Sequence, residues 1–381
     1  MCRTAAVYYI DALVRKPDLL YIRGIICKAI FMAGITLAER DLPDTQRRLG
    51  QWFEQALGER VALSELEVAN RAAGWSSECL KFSAVAADGS NDEYVIRIPP
   101  AGGGIYRDYD LAAQTRTQEL LRGYGIATPS PIRYEPDDAW IGSPFIVMPR
   151  IVGHTPSDMS YATRGWLHGA GPTVQRRVHD SFLETLVGLQ RVPMNEAPWL
   201  ARPTGVGNTA ELTWWRDYVD WGTDSNVPEV MSAAFDWLIR NQPEDTDDLV
   251  LCWGDARLSN AIFDDDGAII GVLDWEQTCW CPAEVDFAWW LATRRQMLEV
   301  NGLDLDPELP GFDSRERVIA RFEELIGRPL VALDWYQTFA MVRMGCCIVR
   351  MQSLLRSIGQ GDHVLTKAPI LPAWTIAAIN P

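Results

Sequence analysis

LCWGDARLSNAIFDDDGAIIGVLDWE, residues 251–276, decides how the rest of the chain is read. Two short apolar runs, Leu249–Trp253 and Ile269–Leu273, read as buried strands because each is brief and bounded by polar or glycine residues. Between them Asp264-Asp265-Asp266-Gly267 carries a strong turn signal, since glycine is free to take positive φ. Acidic or amide side chains stand just past both runs: Asp255 and Asn260 after the first, Asp274 after the second. A chain that folds back in this way gathers the three at one place.

Oxygen ligands of this kind suit a hard cation such as Mg²⁺, which takes few protein groups and completes its shell with phosphate oxygens. The spacing Trp253-Gly254-Asp255-Ala256-Arg257-Leu258-Ser259-Asn260, followed by Leu273-Asp274-Trp275-Glu276, resembles the catalytic loop and metal-binding aspartate of the protein-kinase-like fold. More closely it resembles the aminoglycoside phosphotransferase and choline kinase-like family, whose pattern is His-Gly-Asp-x-x-x-x-Asn and then Asp-Trp-Glu. The resemblance covers about residues 42 to 355, and it is specific around Asp255–Glu276 and diffuse elsewhere.

That resemblance implies an α+β, two-lobed protein-kinase-like fold, with a small antiparallel-sheet N-lobe over residues 42–149 and a larger, mostly helical C-lobe over 150–381. It implies a phosphotransferase that moves the γ-phosphoryl of ATP, with GTP as the alternative, to a hydroxyl of a small molecule. Asp255 would orient the acceptor hydroxyl and Arg257 would neutralise the transferring group. Asn260 and Asp274 would hold Mg²⁺. Asp286, in Glu284-Val285-Asp286-Phe287-Ala288, matches the family's Asp-Leu-Ala step and is expected to pin the catalytic loop.

Upstream, Asp44 is placed to cap a helix that carries Leu49, Trp52, Phe53 and Leu57 on one face. Val61–Val68, Cys79–Ala86 and Glu93–Ile98 then read as strands. The loop Ala73-Gly74-Trp75-Ser76-Ser77-Glu78 occupies the place of the kinase phosphate loop. Gly74 would let backbone N–H groups approach phosphate, while Ser76 and Ser77 would add hydroxyl donors. Arg97, in Tyr94-Val95-Ile96-Arg97-Ile98-Pro99, stands where kinases carry a phosphate-binding lysine, and its guanidinium can grip phosphate bidentately. The helix Tyr109–Tyr124 holds Gln114 where the family has the glutamate partner of that cation. A hydrogen bond from Gln114, or another acid such as Asp110, is therefore expected to orient Arg97. Trp140–Met148 reads as the strand entering the lobe hinge, with Val147 and Met148 lining the adenine site.

Trp253 in place of histidine, Arg97 in place of lysine, and the Ser76-Ser77 pair are nearer to the kinase-like domains fused to acyl-CoA dehydrogenases than to antibiotic kinases. The same departures, with Gln114, open a second reading: a kinase-like nucleotide-binding module of weak catalytic power.

Composition bounds these readings. A chain of 381 residues with 48% apolar and 23% charged residues is ordinary for a globular protein of two lobes or domains. A formal charge of −16 argues against a nucleic-acid partner, because phosphate backbones demand basic surface. With the tryptophan-rich stretches Trp214–Trp221 and Trp289–Trp290, it leads one to expect a partly acidic, aromatic acceptor pocket. Eight cysteines include no Cys-x-x-Cys pair, which speaks against a zinc site or a disulfide framework and for a reducing, cytoplasmic setting. Residues 1–41 form a basic extension whose apolar run is interrupted by Arg23 and Lys28. That pattern reads as an accessory helix or an upstream extension rather than a stable membrane insertion. Nothing in the sequence sets the oligomeric state.

Overall fold

In the computed structural model, residues 40–68, 76–100 and 103–380 are described. The expectations for the N-terminal extension and for Gly74 lie outside those residues.

The chain enters on α1 (Leu42–Ala56). Its N-cap is Asp41, which accepts the Asp44 N–H at 3.0 Å; Asp44, the residue expected to cap, sits in the first turn and pairs with Arg47 and Arg48. The stretch read as one strand, Val61–Val68, is split into β1 (Val61–Leu63) and β2 (Glu67–Val68), both paired with β3 (Glu78–Ala86). Then come β4 (Asn91–Ile98), α2 (Leu111–Gly123), β5 (Arg133–Glu135) and β6 (Phe145–Pro149). The sheet runs β1-β3-β4-β6-β5 and is antiparallel throughout, so β4, the strand of Arg97, is central. One face packs on α1: Leu49, Trp52 and Phe53 interlock with Phe82, Ile96, Phe145 and Val147. Burying each such side chain is worth about 1.5–3 kcal/mol, and the Trp52 indole is satisfied by Glu135 at 2.8 Å.

Beyond β6 the chain is mainly helical: α3 (Pro172–Leu189), α4 (Gly207–Gly222), α5 (Glu229–Arg240), α6 (Glu284–Val300), α7 (Arg315–Ile326), α8 (Leu333–Ser357) and the short α9 (Ala373–Ile379). α6 is buried almost all round between α3 and α8, as its unbroken apolar run Phe287–Ala292 dictates.

The Asp264–Gly267 hairpin exists and its second strand is the expected Ile269 run, but its first strand is not the expected Leu249–Trp253. β8 (Ala261–Phe263) pairs with β9 (Ile269–Val272), and Gly267 takes φ +89° in the turn. The run ending at Trp253 supplies β7 (Val250–Cys252), which pairs instead with β10 (Cys279–Cys281). Both β8 and β10 are three residues long, too short to show a period in sequence. The consequence is that Asp255–Asn260 and Asp274–Thr278 become two adjoining connections between two small ribbons.

Candidate active site

Asp255 follows β7 through Gly254, whose φ is +88° and whose added Cβ would lie 2.1 Å from the Gln277 carbonyl oxygen. Only glycine fits so close an approach. Asp286, in the first turn of α6, accepts the Trp253 N–H at 2.6 Å and the Gly254 N–H at 2.8 Å, so it pins the loop as expected. Burial pushes the Asp286 carboxyl up to about 7 against the pull of those two bonds. On the other side Arg343, from α8, donates to the Gly254 carbonyl and to Gln277. Trp253 fills the position of the family's histidine. Its indole donates to the Leu273 carbonyl at 2.8 Å, while its ring is fully buried beside Phe182 and Trp275.

The Asp255 carboxylate is heavily engaged. Arg257 grips both oxygens at 2.6 Å, Asn260 Nδ2 donates to Oδ2 at 2.9 Å, and Trp289 Nε1 donates to Oδ1 at 2.9 Å. Burial alone would raise this acid, but the Arg257 charge and the hydrogen bonds outweigh it and hold Asp255 below the usual carboxylate range. Arg257 also reaches Asp158 at 3.2 Å, and Asp158 accepts the Ser259 hydroxyl at 2.5 Å. Asn260 keeps its side-chain amide nitrogen on Asp255, and its carbonyl accepts the Leu273 N–H, tying the two loops together.

Asp274 has φ +67°, a left-handed conformation that aspartate adopts more readily than most residues other than glycine. Arg97 meets it across the lobes. The guanidinium lies 2.9 Å from Asp274 Oδ1 and 2.6 Å from Glu276 Oε1, and its Nε donates to the Ser77 hydroxyl at 2.9 Å. Ser77 in turn donates to Glu276 at 3.1 Å. Burial opposes the Arg97 charge, but Glu276 and Asp274 more than offset it and hold the group well above its ordinary value. For Glu276 burial wins: the carboxyl is pushed up to about 7 although Arg97 pulls it down.

Three expectations are corrected here. Gln114 is buried within α2, and Asp110 is spent capping that helix through the Ala113 N–H, so neither orients Arg97. The partners come from the opposite lobe. Val147 and Met148 point to opposite faces of β6: Val147 is wholly buried in the α1-facing core, while Met148 packs with Leu111 and Ile146. The two cannot form one pocket wall. β6 itself begins only at Phe145, after a turn at Trp140. Glu276 stood in the motif that was read, but its contact with Arg97 needed the strand-to-loop crossing to be seen. Asp158 had no sequence signal, and Trp289, expected only as aromatic acceptor-pocket wall, was not read as a partner of Asp255, because each reaches the site through tertiary packing.

Among the described residues no group of three or more His, Cys, Asp or Glu side chains could hold a metal by itself. The six described cysteines are free, and no described helix is long and apolar enough to cross a membrane.

A small antiparallel sheet set against a mostly helical lobe, with a cation of the middle strand reaching acidic loops of that lobe, makes up an α+β, protein-kinase-like fold. Sequence comparison makes the assignment definite. The chain belongs to the APH phosphotransferase enzyme family, whose model matches residues 67–304, more than half of its length. Among solved structures, a candidate aminoglycoside phosphotransferase from Ralstonia eutropha JMP134 superposes with a TM-score of 0.63 at 19% identity, over 87% of this chain and 98% of that one. Macrolide 2'-phosphotransferase type I gives 0.52 at 16% identity, over 87% and 94%. Both show a shared fold. In sequence, the acyl-CoA dehydrogenase family member 11 of Rattus norvegicus is 27% identical over 185 residues, 48% of this chain and 23% of that protein. The Gallus gallus protein of the same name is 30% identical over 186 residues, again 48% and 23%. The match therefore spans less than a quarter of those relatives.

Proposed function

We propose that this protein is a Mg²⁺-dependent small-molecule kinase that transfers the γ-phosphoryl of ATP, or of GTP, to an acceptor hydroxyl. The observation that carries the reading is the Arg97 contact with Asp274 and Glu276, which sets a strand cation beside the loop of Asp255 and Asn260. Arg97 and the Ser76–Ser77 turn would hold the phosphates. Asn260 and Asp274 would hold the metal: the Asn260 side-chain nitrogen faces Asp255, and its side-chain oxygen accepts no hydrogen bond from the described residues. An amide oxygen and one carboxylate suit Mg²⁺, which dehydrates reluctantly and relies on phosphate for further ligands. When bound, the ion would offset charge on the phosphates.

Asp255 is ionised and held by four donor groups, so it is suited to orienting the acceptor hydroxyl and stabilising charge rather than to acting as a strong base. A loose phosphoryl-transfer transition state asks for little more, because positioning and electrostatics dominate it. Arg257 would turn from Asp255 to the transferring group, with Asp158 keeping it at the site.

The double grip of Arg257 on Asp255 favours a second reading, a nucleotide-binding module of low turnover. One experiment separates the two. ATP-dependent mass gain is screened over a panel of hydroxylated metabolites with wild-type protein and with Asp255→Asn. A product formed by wild type and not by the variant supports the kinase. Nucleotide binding with no product from any acceptor supports the module.

A further inference from the structure

Between β4 and α2 the chain lays a strap, residues 103–110, from the sheet onto the helical lobe. The strap has no regular secondary structure. Its Ile105 is nevertheless buried among side chains of the other lobe, Leu212, Trp215 and Val219 of α4 and Phe339 of α8, and Tyr106 packs against the same cluster. Irregular backbone can be buried in this way only where its polar groups find partners. The helices supply them: the Tyr218 hydroxyl donates to the Ile105 carbonyl at 2.7 Å, and Arg350 Nε donates to the Gly104 carbonyl at 3.1 Å.

The polar end of the strap meets the catalytic loop. The Tyr106 hydroxyl accepts Gln277 Nε2 at 2.8 Å. Gln277 Oε1 accepts Arg343 Nη2 at 2.8 Å, and the same nitrogen donates to the Gly254 carbonyl at 2.7 Å. Chemistry fixes the direction of this chain. A guanidinium only donates, so the amide oxygen of Gln277 must face Arg343 and its NH₂ must face Tyr106. Gln277 and Arg343 are both buried, so neither has ready solvent to take the place of a lost partner. The Arg343 guanidinium also lies 4.7 Å from the Trp289 ring, whose Nε1 donates to Asp255 Oδ1. Arg343 therefore reaches Asp255 by two routes, the Gly254 carbonyl and the Trp289 indole, and the amide that orients it is held by a hydroxyl from the strap.

We infer that Tyr106 is a positioning residue for the transfer reaction: docked by its strap, it fixes Gln277, through Gln277 it fixes Arg343, and so it sets Asp255 toward the incoming hydroxyl. The part of that statement that concerns the reaction rests on the kinase reading above; the link from strap to loop does not. The link makes assembly of the catalytic loop depend on the sheet, because the hydroxyl is in place only when the strap is docked.

The test compares Tyr106→Phe with Tyr109→Phe in the full chain. Tyr106→Phe keeps the ring that meets Tyr109 and Tyr218 and removes only the hydroxyl that holds Gln277. Tyr109→Phe removes a hydroxyl from the same strap, one that accepts the Tyr106 N–H at 3.3 Å and makes no hydrogen bond to Gln277. Hydrogen exchange at the Gly254 amide, followed by NMR, reads the loop. Steady-state hydrolysis of MgATP, with water as the acceptor, reads the reaction. Tyr106→Phe should speed Gly254 exchange about three- to tenfold, the equivalent of one net hydrogen bond. It should also lower kcat for hydrolysis about tenfold with KM for MgATP unchanged, since misplacing a positioning group costs rate rather than nucleotide affinity. Tyr109→Phe should change neither quantity. Beside Gln277→Met, Tyr106→Phe should add nothing, because the link is already cut. A merely structural loss would lower stability without separating kcat from KM. Unchanged Gly254 exchange in Tyr106→Phe, equal effects of the two phenylalanine variants, or a full effect of Tyr106→Phe beside Gln277→Met would overturn the positioning role. Faster Gly254 exchange in a protein that neither binds nor hydrolyses MgATP would keep the link and remove the kinase reading. Hydrolysis by wild type that Tyr106→Phe leaves unchanged would keep the kinase reading and remove the role of Tyr106.

Discussion

Arg97→Met removes the contact on which the two lobes meet, and its cost can be worked from the geometry. The guanidinium is 12% exposed and touches Glu276, 5% exposed, and Asp274, 30% exposed. Breaking a buried ion pair by deleting one partner costs about 3–5 kcal/mol when the other charge is stranded. Asp274 is close to a third exposed, so solvent screens it and its share is small. Glu276 has another way out, which is to take up a proton. Burial already lifts it from 4.5 to about 7, and Arg97 is the chief group pulling it down. Without Arg97 the folded-state value rises further. A carboxyl whose folded value is raised favours folding below its unfolded value, and it loses that contribution as pH climbs through the folded value. In wild type the loss is complete a little above pH 7, whereas in the variant it continues upward. At about pH 6 Glu276 is protonated in both proteins, and the variant should lose only about 1–2 kcal/mol, the worth of its charge-assisted hydrogen bonds. Above neutrality the deficit should grow by up to about 1.4 kcal/mol per pH unit, reaching about 3–5 kcal/mol near pH 8.5. Urea unfolding followed by tryptophan fluorescence at the two pH values measures both numbers. An equal deficit at both, or a larger one at the lower pH, would refute the claim that Glu276 is the charge Arg97 neutralises.

Other perturbations probe the loops. Gly254→Ala meets both a left-handed backbone and the Gln277 carbonyl, and should cost at least ~3 kcal/mol, read as a lowered thermal midpoint. Asp286→Asn can accept only one of the two loop N–H groups and should cost about 2–4 kcal/mol, with faster hydrogen exchange at the Trp253 and Gly254 amides. Arg257→Met removes the charge that most lowers Asp255, so burial then dominates and the Asp255 pKa moves up; carbon NMR of that carboxyl through acid pH should show protonation at higher pH than in wild type.

The gathering of Asp255, Asn260 and Asp274 was legible because turn chemistry and strand ends are local, and the motif spacing carried the fold with it. Arg97 was legible as a residue and not as a contact. Its partner was sought on α2, at Gln114, whereas the ion pair is made by Glu276 more than 170 positions away. The pairing of β7 with β10 was missed for a related reason, since three-residue strands buried on both faces have no alternation to read.

Calorimetry with a non-hydrolysable ATP analogue, with and without Mg²⁺, on wild type, Asp255→Asn and Asp274→Asn bears most directly on the kinase reading. Wild type should bind the nucleotide in a Mg²⁺-dependent way. Asp255→Asn should bind almost as well, since a group that positions the acceptor is worth about 10²–10⁴ in rate and little in nucleotide affinity. Asp274→Asn should need more Mg²⁺ and bind more weakly, because on the proposed reading that carboxylate would help hold the ion on the phosphates. Absence of binding at millimolar nucleotide, or the same Mg²⁺ dependence in both variants, would contradict it.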